Sequence, residues 1–447
     1  MPTGAGQHAC VFGLGWGDEG KGKIVDLLCP QYDFVVRFNG GANAGHTVCV
    51  GGDKFSLHLL PAGVLHEHMT AVIGPGVVVD PVQVIAELDG LAESGIAAAD
   101  RLRLSDRAHL VLAYHKAEDH LSEGAARADT RIGTTARGIG PCYADKMKRA
   151  DAVRACDLVC DPELEDRVRQ IVAQRSKAFQ ALYGDDGGLN PDSIIEDLHQ
   201  ARQRLAPVIT DTALLLREAM DAGQKVLFEG ANGLLLDVDH GTYPFVTSSS
   251  TGPHGIAAGA GVPAGRVTRL IGAAKAYSTR VGAGPFVTEL ADEIGDRIRE
   301  AGHEYGTTTQ RPRRCGWLDT LAMRYCVELS GCTEIALMHL DTLSGFEQIG
   351  FCVAYECDGR RVNTVPADLR TLEGCAPVLE FLPGWAEDLR DVRRYDDLPA
   401  ATRRYVERIE ALAGVPVTII SVGPERTQTV FRDKLDVVSN VAESSSI

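Results

Sequence analysis

The chain has 447 residues, 45 Lys+Arg against 61 Asp+Glu, a formal net charge of −16, and 45% hydrophobic with 24% charged residues. These proportions belong to a folded globular protein and exclude wholesale disorder. The acidic excess argues against nucleic acid or a membrane surface as partner, since both need a basic footprint, and no apolar run approaches the ~20 residues of a membrane span.

The N-terminal residues Met-Pro-Thr-Gly-Ala-Gly-Gln-His lack the charged and apolar regions of a secretory signal, so a cytoplasmic chain is expected. The 12 cysteines are scattered, and the closest pair, Cys156 and Cys160, has no CxxC or His partner. Buried reduced thiols are therefore expected rather than a zinc site or a disulfide framework.

In chain order, apolar runs punctuated by glycine fall at 9–12, 34–38, 77–79, 226–229, 269–272, 335–338 and 417–421. Several are almost wholly apolar rather than alternating, as strands covered on both faces are. Between them lie helical patterns. Asp161 and Pro162 read as an N-cap and first helical residue, followed by helical spacing up to Gly184, and 192–222 continues as helix broken by Pro207. The glycine-rich stretch 184–191 reads as a surface loop. Strands alternating with helices predict an α/β fold with a P-loop-like, large, mainly parallel central β-sheet flanked by helices, with helical and small β excursions. We expect a single domain over 1–440, a helical insertion at about 155–222, and a flexible tail at 441–447.

The first strand runs into Gly15-Trp-Gly-Asp-Glu-Gly-Lys-Gly-Lys23. Gly15, Gly20 and Lys21 satisfy G-x-x-x-x-G-K, and the residues after Lys21 continue as an amphipathic helix. A glycine-rich loop between strand and helix offers backbone N–H groups and a helix N-terminus to phosphates. Gly22 occupies the place where a standard P-loop has a Mg²⁺-binding Ser or Thr, and Asp18 could supply a metal-binding oxygen or a base instead. A second glycine-rich segment, Asn39-Gly-Gly-Ala-Asn-Ala-Gly-His-Thr47, follows the strand at 34–38. Its His46 has a pKa range suited to general acid chemistry.

These segments resemble the GDEGKGK and NAGHT motifs of the adenylosuccinate synthetase family, whose members join IMP to aspartate at the expense of GTP. The resemblance continues through Gly133-Thr-Thr-Ala-Arg-Gly-Ile-Gly-Pro-Cys-Tyr-Ala-Asp-Lys146, Phe228-Glu-Gly-Ala-Asn-Gly233 and Asp239-His-Gly-Thr-Tyr-Pro-Phe-Val-Thr247. It runs on through Lys275-Ala-Tyr-Ser-Thr-Arg-Val281 and Tyr305-Gly-Thr-Thr-Thr-Gln-Arg-Pro-Arg-Arg-Cys-Gly-Trp-Leu-Asp319.

The resemblance implies a GTP-dependent ligase of purine biosynthesis that works through a 6-phosphoryl-IMP intermediate. It implies Asp18 as base and Mg²⁺ ligand, His46 as acid, the Gly45 carbonyl as second metal ligand, and Lys21 and Asn232 as further catalytic residues. GTP would be held by Gly17, Glu19, Gly20, Lys21, Gly22, Lys23, Gly45, His46, Thr47 and Arg313. Its base would meet His339, Asp341, Ser421, Val422 and Gly423. IMP would meet Asp18, Asn43, Ala44, Gly45, Thr135, Asn232, Thr247, Val281 and Arg311, with Arg149 reaching in from a second subunit of a homodimer. L-Aspartate would meet Thr307, Thr308, Thr309, Gln310, Arg311 and Arg313, since arginine pairs bidentately with carboxylates. Asp341 can accept two N–H bonds from guanine, which adenine cannot supply, and such a site can reject the wrong base by ~10⁴-fold.

Several site positions depart from the family pattern: Gly15 and Asn232 for Gln, Gln310 for Gly, His339 for Lys, and Gly252-Pro-His-Gly255 after Thr-Ser-Ser. Losing one methylene at Asn232 shortens reach by more than ~1 Å, enough to break a hydrogen bond unless something moves. Two alternatives follow: the same chemistry on an IMP-like nucleotide, or a GTP-binding protein that has lost catalysis. Retention of both Asp18 and His46 argues against the second.

Overall fold

The computed structural model describes residues 8–50, 53–127, 131–306 and 312–432. Ten strands form the central sheet, numbered here in chain order: β1 (His8–Gly13), β2 (Phe34–Arg37), β3 (Thr70–Ile73), β4 (Leu102–Ser105), β5 (Ile209–Thr210), β6 (Val226–Gly233), β7 (Val267–Lys275), β8 (Glu334–Met338), β9 (Val417–Ser421) and β10 (Thr429–Phe431). Their spatial order is β10-β9-β8-β7-β1-β6-β2-β3-β4-β5. Every pairing is parallel except β9 with β10.

Strand periodicity explains the apolar runs. Along β1, Cys10 and Phe12 join one buried layer while Ala9 and Val11 join the other. In β6, Val226 and Phe228 face the first layer and Leu227 the second. A strand with helices on both faces has no polar side, so its sequence carries no alternation. The α/β architecture expected from the sequence is the one observed.

Some local expectations are corrected. The run at 77–79 yields only Val78–Val79, paired with His109–Leu110 outside the central sheet. The helix expected from Asp161 begins later, at Leu164–Tyr183, after a separate turn at Asp157–Cys160. Asp161 turns its carboxylate to the Glu163 N–H at 2.9 Å instead, a local bond that competes with helix continuation. Gly184 closes that helix in the left-handed conformation, at φ 74°. The stretch 192–222 resolves into Pro191–Leu205 and Thr212–Asp221, separated by a 3₁₀ turn and β5.

A four-stranded sheet made of Leu318–Asp319, Gln348–Cys357, Arg360–Val362 and Ala376–Pro383 stands apart from the central one. It corrects the expectation of reduced thiols at one pair, because Cys357 and Cys375 form a disulfide, while the other described cysteines are free and most of them are buried. Antiparallel register pairs Glu356 with Ala376, which brings together two cysteines 18 residues apart. Among the described residues no helix is long and apolar enough to cross a membrane. The expected tail at 441–447 lies outside the described residues.

Candidate active site

The loops leaving β1, β2, β6, β7 and β8 all emerge at the carboxyl edge of the sheet, where parallel α/β folds bind ligands. Between them is a cleft of about 590 Å³.

Its floor is the loop from β1 to α1 (Lys21–Leu28). Glu19, only 3% exposed, lies beneath this loop and accepts the N–H groups of Gly15 (3.1 Å) and Gly17 (2.8 Å) and the Lys21 ammonium (2.5 Å). The carboxylate thus shapes the loop from inside. A side chain at Gly13 would overlap it, and one at Gly233 would overlap the Gly15 carbonyl, so both strand ends need glycine. The resulting turn sets Gly17, Asp18 and Gly20 at φ 91°, 60° and 79°. A positive φ at a non-glycine residue costs about 1–3 kcal/mol and clusters at functional sites. Asp18, 38% exposed, meets Arg313 Nη2 at 3.0 Å.

Arg313 is the hinge of a buried charge cluster. Its Nη1 lies 2.7 Å from Glu304, and the Glu304 carboxylate also accepts Lys275 Nζ and Tyr277 Oη, both at 2.6 Å. Burial by itself would raise the Glu304 carboxyl; Lys275, His339 in its charged form and Arg313 outweigh it and hold the pKa at about 2. His339, at φ 60°, is pushed down to about 4 by burial, with Lys275 and Lys23 acting in the same direction against Glu304. Its ring is therefore neutral at neutral pH, and it stands 6.0 Å from the Tyr277 ring in an edge-on arrangement.

The facing wall comes from the segments after β2 and β6. Asn39 fastens them together: its Oδ1 accepts the Ala231 N–H at 2.9 Å and its Nδ2 donates to the Ala231 carbonyl at 3.2 Å. Gly40 has φ 78°, and a Cβ there would stand 2.7 Å from that of Ala231. Asn43 Nδ2 donates to Thr247 Oγ1 at 3.1 Å. Two amide oxygens, Asn43 Oδ1 and Asn232 Oδ1, are buried without a hydrogen-bond partner among the described residues, and Asn232 is held at φ 64°. Buried acceptors are almost always paired in folded proteins, so such a pair in a cleft calls for donors from a ligand. Arg280 closes the far end, donating to Thr242 Oγ1 at 3.1 Å and the Phe245 carbonyl at 3.2 Å beneath the Trp16 ring.

The structure brings many of the sequence-derived residues to this one cleft. Gly17, Asp18, Gly20, Lys21, Gly22 and Lys23 line it with Asn43, Ala44 and Gly45, and so do Thr135, Asn232, Thr247, Val281, Arg313 and His339. Glu19 is turned inward, as described. Arg149 stands exposed at φ 73° at the end of the helix Ile139–Lys148, away from this chain's cleft lining. Ser421, Val422 and Gly423 form a turn fastened to Lys23 of α1, and Asp341, in the 3₁₀ turn Leu340–Leu343, lies near enough to act on the Lys23 charge. The backbone of His46 and Thr47 opens the strand His46–Val50 directly after Gly45. Thr307, Thr308, Thr309, Gln310 and Arg311 lie outside the described residues; Tyr305 and Pro312 form an isolated antiparallel bridge.

The sequence alone does not single out Lys275, Tyr277, Glu304 and Arg280 as site residues. Lys275 and Tyr277 stand in the 275–281 motif at the end of β7, but Glu304 carries no local signal at all. Only the fold shows that it receives two cations.

A family description, adenylosuccinate synthetase, matches residues 10–430. The chain belongs to the adenylosuccinate synthetase family. It is 47% identical over 434 residues to the adenylosuccinate synthetase of Bacillus thuringiensis (strain Al Hakam), covering 97% of this chain and 99% of the relative. Against that of Oleidesulfovibrio alaskensis the identity is 49% over 427 residues, 95% and 100% of the two chains. The fully ligated adenylosuccinate synthetase of Plasmodium falciparum has a similar fold, with a TM-score of 0.89 and 37% identity over 96% of this chain and 100% of that one. This family member is accordingly a C–N-forming ligase of purine biosynthesis that makes adenylosuccinate from IMP and aspartate with GTP.

Proposed function

We propose that ligation runs in two steps within the cleft described above. Asp18 takes the N1 proton of IMP, and the electron pair left behind moves charge onto the 6-oxygen. That oxygen attacks the γ-phosphorus of GTP, giving 6-phosphoryl-IMP and GDP. The amino group of L-aspartate then adds at C6 and loses a proton, and phosphate departs with the C6–O bond. The unmodified exocyclic 6-oxygen is a poor leaving group, whereas phosphate is a good one, so the first step makes the second feasible.

The observation that carries this reading is the place of Asp18. Its carboxylate stands on the strained turn of the phosphate loop, on the cleft that Asn43 and Thr247 also line, with Arg313 at 3.0 Å. Lys21 and Arg313 offer positive charge where phosphoryl charge develops. His46 is assigned as the general acid by the resemblance of its segment to the family's NAGHT motif, and Arg311 with Thr307, Thr308, Thr309 and Gln310 as the aspartate loop. We assign base recognition to His339, Asp341, Ser421, Val422 and Gly423.

The donors present suit Mg²⁺: Asp18 offers a carboxylate and Gly45 a carbonyl oxygen on the same cleft, and Mg²⁺ takes one or two carboxylates together with substrate phosphates. Bound there, the ion would neutralise charge on the phosphate chain. We also assign a cytoplasmic homodimer in which Arg149 of the partner subunit completes the IMP phosphate site.

The test measures phosphate release with GTP, Mg²⁺ and aspartate across a panel of nucleoside monophosphates, with product masses. Release that requires both IMP and aspartate and yields a succinyl-purine is expected, with IMP far ahead of every analogue. An analogue overtaking IMP would point to an altered acceptor, consistent with the shortened side chain at Asn232.

A further inference from the structure

The second lysine of the phosphate loop does not behave like the first. Among the described residues the Lys21 ammonium bonds only Glu19, leaving donors for a ligand. The Lys23 ammonium donates to Ser421 Oγ at 2.9 Å, the Gly423 carbonyl at 2.8 Å and the Gln428 carbonyl at 3.0 Å. An ammonium has three N–H donors and no acceptor, so all three are spent inside one turn about 400 residues away in sequence. One helical turn further along α1, the Asp26 carboxylate accepts from Arg426 of the same turn through both Nε and Nη2. The segment 421–428 is therefore fastened to α1 at two points on one helix face.

We infer that Lys23 is a positioning residue for donor-base selection, a strut that holds the Ser421–Gly423 turn against the phosphate-loop helix rather than a ligand of the phosphate chain. This rests on the assignment of Asp341 and 421–423 to base recognition. The logic is one of rigidity. A base is told from another by whether two N–H groups find their acceptors, and that discrimination fails when the acceptors can shift by an ångström. Burial lowers Lys23 to about 8, while Asp341 and Glu425 favour its charge and Arg393 opposes it. The charge so retained is consumed by neutral oxygens of the turn, which makes the strut stiff.

The experiment is steady-state turnover of the full chain with GTP, ITP and ATP at fixed IMP and aspartate, for wild type, Lys23→Met and Lys23→Arg. Wild type prefers GTP. Lys23→Met raises KM for GTP about tenfold or more, the loss expected for hydrogen bonds made by a charged group. It also narrows the GTP-to-ITP preference in kcat/KM by a similar factor, and leaves kcat at saturating GTP and KM for IMP within a few-fold. Lys23→Arg keeps the charge but cannot converge three N–H groups on the turn, so it loses discrimination as well; it carries the test if Lys23→Met is too unstable to assay. The inference is overturned if kcat falls by more than about 10²-fold with GTP and ITP affected equally, as expected for a lost phosphoryl-stabilising contact. It is likewise overturned if both variants only lower the melting temperature and keep the wild-type preference. A wild-type enzyme indifferent to the base overturns the donor-site assignment itself, which separates the two failures.

Discussion

Asp18 and Glu304 are two carboxylates joined by one arginine and put to opposite uses. Asp18 sits at the cleft surface, where its charge can leave Arg313 and meet a ligand, while Glu304 is 1% exposed and fixed by Lys275, Tyr277 and Arg313. Replacing Asp18 by Asn keeps shape and removes the proposed base. We expect kcat to fall by about 10²–10⁴-fold, the worth of a positioned proton acceptor, with KM for GTP changed only several-fold. Phosphate-release kinetics check this, and full turnover in the variant would remove Asp18 from the mechanism. Glu304 makes a different prediction, about pH. Its folded pKa of about 2 lies below the ordinary 4.5, so its ionised form stabilises the fold fully above about pH 5, and this contribution is lost as pH falls from there toward 2. Glu304→Gln should cost about 3 kcal/mol or more near neutrality, because the buried Lys275 and the largely covered Arg313 lose their counter-charge. The gap between wild type and variant in urea titrations should narrow steadily below pH 4.5. A gap that stays constant down to pH 3 would show that the carboxylate is not the source.

At the scale of elements, the loop from β1 to α1 owes its form to what lies underneath. Gly13 and Gly233 face each other across the β1–β6 pairing, and the Glu19 carboxylate fills the space that their missing side chains leave. Gly233→Ala would drive a methyl into the Gly15 carbonyl and within 2.5 Å of Glu19 Oε1. Displacing the loop by about 1 Å should lower kcat/KM by about 10²-fold and reduce the melting temperature. Gly90 is the matched control. It lies exposed in the helix Pro81–Glu93 with nothing within 4 Å of where an added methyl would sit, so Gly90→Ala should stabilise by about 0.5–1 kcal/mol and leave kinetics alone. Equal losses in both variants would deny the loop its special packing. Much at this scale could be read from the chain alone. The central strands declare themselves because burial on both faces leaves unbroken apolar runs, and the G-x-x-x-x-G-K spacing marks the loop between strand and helix. What escaped reading is what depends on distant partners. β3, β4 and β5 are two to four residues long, too short for a periodicity, and become strands through their neighbours. Glu19 looks from its position like a loop-mouth acid, and only the packing of β6 turns it inward. Lys23 reads as a phosphate lysine until the turn at 421–428 claims its donors.

For the whole molecule the decisive residue is Arg149. It ends a helix at φ 73°, an expensive conformation for arginine, and it is exposed and forms no ion pair among the described residues. A strained, unpaired cation that contributes nothing to its own cleft is costly unless its place is set by something outside the subunit. If it completes the IMP phosphate site of a second copy, each cleft of a symmetric dimer is built from both chains. Subunit mixing tests this without the interface having to be located first. In such a dimer Asp18→Asn would remove the proposed base from both clefts, and Arg149→Ala would remove the arriving arginine from both. In a mixed dimer, the cleft of the Arg149→Ala subunit keeps its own Asp18 and receives an intact Arg149 from the other chain, while the second cleft carries both defects. An equal mixture that exchanges freely has half its dimers mixed and one working cleft in each, so activity should return to about a quarter of wild type. Were Arg149 to serve its own subunit, every cleft in every combination would remain defective and mixing would restore nothing. The recovered activity should also vanish when the dimers are kept from exchanging, for instance by mixing immediately before the assay, because the working cleft exists only once the two chains have paired.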